Sequence, residues 1–306
     1  MDLKQVEYIL KIAEENNITK AAQKLYITQS ALNQQLLKLE EELGIPLFYR
    51  SRTNWRPTEA GEIYLKAARE MLHMKKEAYN QIHDLAERKK GTLAVGFTPG
   101  RGIEMFSEVY PRFHRTHYKI QVEPRELSVR RQQELISAGE LDIGFVTYGP
   151  KFKSRNVSAR LGDEELLLAI PRIHPYARLA CDQRGCFTEG NLYELREEPF
   201  VLIYKESTLH EMVEEIFERA GFCPNVLFET SDFRTIVTMI ESGFCCGILP
   251  YYYVRRHLDT MACFSLPGNP RFEIAAIYQR NSYLSKAARD FISMAREFWM
   301  NAQSNT

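Results

Sequence analysis

Residues 18–36, ITKAAQKLYITQSALNQQL, constrain the fold of this chain more than any other stretch. Ala21, Ala22 and Leu25 recur on one side of a short helix that Thr19 is placed to cap. Tyr26 and Ile27 fill a tight turn. Thr28 then stands where a second helix needs its cap, and Ala31, Leu32, Leu36 and Leu39 supply that helix with an inner face. The opposite face carries Gln29, Ser30, Asn33 and Gln34, and Lys38 adds a cation beyond them. Short uncharged amides and hydroxyls on an exposed helix face exchange hydrogen bonds readily with base edges in a DNA major groove. The pattern is that of a helix-turn-helix, with Thr19, Thr28, Gln29, Ser30, Asn33, Gln34 and Lys38 as candidate DNA contacts. A small helical bundle with a solvated polar face has the same periodicity, so the downstream residues carry the decision.

Those residues are informative. Gly44 and Pro46 stop the second helix, and Leu47 and Phe48 are apolar enough to pack back on the bundle. Arg50, Arg52 and Arg56 then fall within seven residues, interleaved with polar residues and Trp55. A basic loop beside a helix-turn-helix suits a wing that grips phosphates. Pro57 fits the first turn of a new helix, with Thr58 or Asn54 to help cap it. The ordered set Ala21-Ala22, Leu25, Thr28-Gln29-Ser30-Ala31, Leu39-Glu40, Leu43-Gly44, Leu47-Phe48, Arg50, Arg52 and Pro57-Thr58-Glu59-Ala60-Gly61 resembles the LysR-type transcriptional regulators over roughly the first 60 residues.

At 306 residues the chain is long enough for two or three domains, and 44% hydrophobic content is enough to build a core. Formal net charge is zero, so the DNA reading rests on local placement of charge rather than on its total. No basic, apolar leader opens the sequence. The most apolar run, Gly243 to Val254, is too short to span a bilayer, so a cytoplasmic location is expected.

An opening helix over Leu3–Glu15 places Leu3, Val6, Leu10 and Ala13 at helical spacing, completing a DNA-binding domain over 1–58. A long helix and hinge over 59–90 follow. Within residues 59–89, Tyr64, Ala67, Met71, Met74, Ala78 and Leu85 mark a coiled-coil seam and so a homo-oligomer. Packing of that helix on its own chain is the competing reading.

From Gly91 strands and helices alternate, which argues for an α/β fold with parallel sheets and helical crossovers. Gly139-Glu-Leu-Asp142, His174-Pro175 and Leu249-Pro250 extend the LysR resemblance more loosely. The resemblance implies a regulatory domain over 91–306 built as two Rossmann-like subdomains, as in periplasmic binding proteins. The first would hold 91–161 and 268–306, the second 162–267, with crossovers near Leu161 and Pro267. It also implies double-stranded promoter DNA, a small-molecule effector and RNA polymerase as partners, and assembly as dimers or tetramers.

Effector chemistry belongs beyond the carboxyl ends of the strands. Thr98, Pro99, Gly100 and Arg101 supply a hydroxyl, helix-start amides and a cation, a combination that suits an anion. An ordinary strand-to-helix turn has the same composition. Ser128, Thr147, Tyr204 and Thr230 occupy equivalent strand ends, with Ser207 and Thr208 nearby, and Ser128 also reads as a helix cap.

Two departures from the family pattern stand out. Asn33-Gln34 replaces the Ser-Arg often found in the recognition helix, removing a guanine reader and favouring adenine. Cys245 stands where the family usually has Gly, so its side chain is expected to narrow the cleft. All six cysteines lie between 181 and 263. Arg178 and Arg184 near Cys181 and Cys186 would lower a thiol pKa, which raises a redox-sensing alternative like the family's peroxide-sensing branch. Packing as small hydrophobes is the simpler account. No CxxC pair or paired Cys/His spacing points to a metal, and no cofactor is expected. GxxxxGK[ST], GxSxG and HExxH are missing, so a non-enzyme is expected. A solute receptor using only the two-subdomain part is the remaining alternative.

Overall fold

A computed structural model describes residues 2–51, 54–86, 90–151, 156–181, 186–280 and 282–304. The chain forms two compact units, 1–86 with 138–140, and 87–137 with 141–306.

The first unit contains α1 (Leu3–Glu15), α2 (Ile18–Lys24), α3 (Gln29–Leu43), a two-stranded wing β1 (Phe48–Tyr49) and β2 (Arg56–Pro57), and the long α4 (Glu59–Leu85). Short polar residues start its helices. Asp2 caps α1, and the Asn17 carboxamide accepts from the Thr19 and Lys20 amides to cap α2. Asn17 therefore takes the role expected of Thr19. Thr28 caps α3 through the Ala31 amide at 3.2 Å, and Thr58 caps α4 through the Gly61 amide at 3.0 Å. Pro57 lies in the wing, one residue before that cap. The core joins Val6, Ile9 and Ile12 to Leu32, Leu36, Leu39, Leu47 and Leu65. Leu3 is exposed and Ile9 and Ile12 are buried, so the inner face of α1 is rotated from the expected one. Ala31 is exposed as well, because the close-packed side of α3 runs through Leu32, Leu36 and Leu39.

Only Gly61, Leu65 and Ala68 of α4 are fully buried in this unit. Ile63, Ala67, Met74, Ala78, Ile82 and Leu85 form an exposed stripe at helical spacing. Ile82 fills the long step in the expected seam, and Ile63 replaces the half-buried Tyr64 at its start. The hinge residues Arg88 and Lys89 lie outside the described residues.

The second unit has two lobes that share one strand. The first lobe holds β3 (Gly91–Phe97), α5 (Arg101–Thr116), β4 (Ile120–Glu126), α6 (Val129–Ser137) and β5 (Ile143–Tyr148). From β5 the chain enters β6 (Val157–Pro171). The second lobe holds β7 (Pro199–Ile203), α7 (His210–Ala220), β8 (Asn225–Thr230), α8 (Phe233–Glu241), β9 (Gly247–Pro250), α9 (Tyr251–Val254) and β10 (Met261–Ser265). The chain then returns through β11 (Arg271–Tyr278) and closes with α10 (Lys286–Ser304). β4, β3 and β5 pair in parallel, as do β7 and β8. β6 pairs antiparallel with β11 over Val157–Glu165 and with β9 and β10 over Leu166–Pro171. The switch between lobes thus falls at Glu165–Leu166, a few residues after the expected Leu161.

Three polar side chains have local physical roles. Asp142 accepts from the Ala94 amide at 2.7 Å and ties β5 to β3. His174 Nδ1 accepts from the Tyr176 amide at 3.1 Å and caps a 3₁₀ turn. Gln132, fully buried, donates to the carbonyls of Leu127 (3.0 Å) and Phe145 (3.3 Å) and anchors the start of α6 at the strand ends.

A Cβ at Gly61 would lie 2.1 Å from the Leu47 carbonyl oxygen, so no larger residue fits where α4 meets the wing. Gly61→Ala should destabilise the first unit by about 1–3 kcal/mol, the usual cost of overpacking, seen by calorimetry as a lowered melting transition.

Candidate nucleic-acid interface and ligand cleft

The exposed side of α3 begins at its cap. Thr28 Oγ1 lies 3.1 Å from Ser30 Oγ, and the Thr19 hydroxyl donates to Gln29 Oε1 at 2.9 Å. That bond fixes the carboxamide and turns its Nε2 donor group away from Thr19. Gln29, Ser30, Gln34 and Lys38 are exposed, and Asn33 is half-buried. Ala31 and Gln35 are exposed on the same helix and were not among the expected contacts. The period-3.6 pattern places Ala31 ambiguously at the edge of the apolar stripe, so sequence carries only a weak signal for it.

The wing holds its basic residues differently from one another. Arg56 is exposed in β2. Arg50 is ion-paired with Glu40, a buried carboxylate near the end of α3 that also accepts from the Leu47 amide at 2.7 Å. Arg50 also lies 5.8 Å from the Trp55 ring. Its guanidinium is therefore committed first to fastening the wing to α3. Arg52 lies outside the described residues.

The ligand cleft lies within the second unit, between its lobes, at the carboxyl ends of β3, β5 and β7. It encloses about 620 Å³ of empty space, its mouth included. Thr98, Pro99, Arg101, Ser128, Thr147 and Tyr204 line it as expected from sequence. Gly100 and Thr230 do not. Gly100 begins α5 at φ 69°, and the Thr230 hydroxyl accepts from the Asp232 amide at 3.3 Å, leaving Ser231 to face the cleft. Ser128 is both a lining residue and a cap, accepting from the Arg131 amide at 3.3 Å. Glu206, Phe233, Tyr253 and Phe272 also line the cleft. These come from a loop, two helices and a returning strand that only tertiary folding brings together. A neighbouring hollow of about 990 Å³ is lined by Gly149, Pro150 and Lys151 just after β5 and by Arg271; it shares Thr208 with the cleft, and its Lys151 is paired with Glu215 at 2.7 Å.

Arg101 does not behave as the expected free cation. It is buried and ion-paired with Glu164 of β6. It lies against the rings of Tyr252 at 4.1 Å and Trp299 at 4.2 Å. The expectation of an anionic effector combined this cation with the Thr98 hydroxyl and helix-start amides, and it loses the cation, because the pair is already neutral.

Further bonds bridge the lobes. The Thr208 hydroxyl donates to the Thr147 carbonyl at 2.5 Å, and the Tyr252 hydroxyl donates to Glu104 at 2.6 Å. Burial first, then Glu104, pushes the Tyr252 hydroxyl up to about 12.

Two comparisons with known families cover almost the whole chain. Residues 3–62 match the profile "Bacterial regulatory helix-turn-helix protein, lysR family", and residues 86–300 match "LysR substrate binding domain". The chain belongs to the LysR family. It is thus a LysR-type DNA-binding transcriptional regulator with an effector-binding domain. It is 31% identical to the uncharacterized HTH-type transcriptional regulator YwbI of Bacillus subtilis, across 97% of each chain. A cysteine variant of full-length OxyR from Pseudomonas aeruginosa has a similar fold, with TM-score 0.69 and 21% identity over 97% of each chain. Full-length CbnR complexed with its target DNA superposes with TM-score 0.60 and 22% identity, over 97% of this chain and 99% of that one. Among the described residues no helix of this LysR-type chain is long and apolar enough to cross a membrane.

Four of the six cysteines have thiols raised above their ordinary value. Cys245, Cys246 and Cys263 are buried, and burial pushes their thiols up to about 11, about 12 and about 12. Cys245 packs in the core and does not narrow the cleft. Cys186 is exposed, and its thiol is raised by its hydrogen bond to Cys181, opposite to the expected lowering. Arg184 lies outside the described residues. At pH 8 alkylation should label Cys186 and Cys223 first and Cys245, Cys246 and Cys263 only on unfolding, because buried thiols stay protonated until well above that pH. Peptide mass spectrometry over a time course checks the order.

Proposed function

We propose that this chain is a ligand-gated regulator that reads an inverted repeat in promoter DNA as a homo-oligomer. The observation that carries the reading is the exposed, uncharged face of α3 beside a basic wing. Gln29, Ser30, Asn33 and Gln34 meet base edges. Thr19, Thr28, Lys38, Arg52 and Arg56 hold phosphates, and Arg50 fixes the wing against α3. The domain bounds of the proposal are 1–58 for DNA binding, 59–90 for the oligomerisation helix and hinge, and 91–306 for effector control. The stripe Ile63–Leu85 on α4 meets its counterpart in a second copy. Half-sites are then spaced near one helical turn or its multiples. A small molecule in the cleft biases the two lobes between arrangements and so the spacing of the DNA-reading heads. The protein works in the cytoplasm, contacts RNA polymerase at the promoter and performs no catalysis.

Footprinting on the DNA upstream of the protein's own gene, with and without a host metabolite extract, tests the whole reading. Protection of an inverted repeat that changes with extract is expected. Failure to bind any genomic DNA would overturn it.

Gln29→Ala or Asn33→Ala should cost about 1–3 kcal/mol at the contacted base and relax specificity there, with a preference for A·T pairs at those positions. Arg56→Ala should weaken binding on all sequences alike and flatten the salt dependence. Binding curves on single-base site variants at two salt concentrations separate the two classes. Met74→Glu with Ile82→Glu should shift the sedimentation mass towards that of a monomer while leaving the melting of the second unit unchanged. An unaltered mass would remove α4 as the oligomer contact.

A further inference from the structure

The charges that line the cleft are few and unequal. Arg101 is the one basic lining residue among those described, and Glu164 neutralises it at contact. Glu206 is the one acidic lining residue among them. It is exposed at the mouth, and among the described residues no lysine, arginine or histidine lies within ion-pair distance of it. Its negative charge reaches into the cleft, because after burial it is the second cause raising the Tyr204 hydroxyl. The cleft as a whole therefore offers one uncompensated negative charge and no uncompensated positive one.

The remaining surface fits the same chemistry. Tyr204, Phe233, Tyr253 and Phe272 present aromatic rings, whose faces attract cations. Thr98, Ser128, Ser207 and Ser231 supply hydroxyl oxygens that accept hydrogen bonds from N–H groups. A carboxylate entering this cleft would meet the Glu206 charge with no free cation to offset it. A protonated amine would meet a carboxylate, ring faces and hydroxyl acceptors.

We infer that the effector of this cleft carries a protonated amine, held by the Glu206 carboxylate and the surrounding aromatic faces. The inference rests on the reading of the cleft as the effector site, and it names the chemical class that the site selects.

The test uses the full-length protein on its promoter DNA. Host metabolite extract is passed at about pH 3 over a strong cation exchanger, which retains amines but not carboxylic acids, whose ordinary pKa lies near or above that pH. Retained and unretained fractions are assayed for their effect on the footprint with wild type, Glu206→Gln, and a cleft-filling variant. The filling variant is Thr147→Trp or Ser207→Trp, whichever keeps the wild-type melting temperature. The expected result is activity in the retained fraction, at least tenfold weaker on Glu206→Gln and lost on the filled cleft. Glu206 is exposed, so its replacement should leave folding and ligand-free DNA binding unchanged.

Activity in the unretained fraction that is lost on the filled cleft would overturn the amine inference and leave the effector reading standing. Equal potency on wild type and Glu206→Gln would also overturn the inference. Activity indifferent to the filled cleft, or no active fraction at all, would overturn both.

Discussion

β6 must satisfy two sheets at once, and the second unit is organised by that requirement. Its first half hydrogen-bonds to β11, and its second half to β9 and β10. A strand with backbone bonds to both lobes along its length cannot slide without breaking pairs in each. Glu164 sits next to the switch between them and is almost wholly buried. A buried carboxylate needs full compensation, and it receives Arg101 from α5 and the Tyr252 amide from α9. One side chain thereby joins the crossover strand to a helix of each lobe.

The cost of that arrangement falls on ligand chemistry. Arg101 begins the first helix after β3, where strand-end amides and a cation would ordinarily greet an anion. Holding Glu164 removes the cation from that task. Removing either partner would leave the other buried and unpaired, which is the expensive outcome for ion pairs of this kind. The arginine is thus better placed to fix the geometry of the cleft floor than to choose its ligand. Selection passes to Glu206 and to ring and hydroxyl groups at the mouth.

The DNA-reading unit repeats this logic on a smaller scale. Glu40 is buried at the end of α3 and draws in the Leu47 amide and Arg50. The wing is tied to the recognition helix by the same residue type, a buried carboxylate with a backbone amide and an arginine as partners. Gly61 lets α4 approach the Leu47 carbonyl that also accepts from the Thr58 amide at 2.9 Å. Helix, wing and linker helix therefore meet within a few residues, and a change at any of them is felt by the others.

Sequence alone determined the helix-turn-helix, its Thr28 cap, the order of strands and helices and most of the strand-end lining residues. Each of these depends on local periodicity or on residues a few positions apart. It also carried Ala67, Met74, Ala78 and Leu85 of the exposed stripe on α4, while Ile63 and Ile82 were missed and Tyr64 and Met71 are half-buried. What it did not determine were facts set by distant partners. The Arg101–Glu164 pair joins residues 63 positions apart, and the Arg50–Glu40 pair is concealed by a turn and a strand. Short β10 is defined by its pairing with β6 more than by its composition. The charge state of the cleft was decided by tertiary structure, because a charged side chain's role depends on what is buried against it, and no sequence spacing records that.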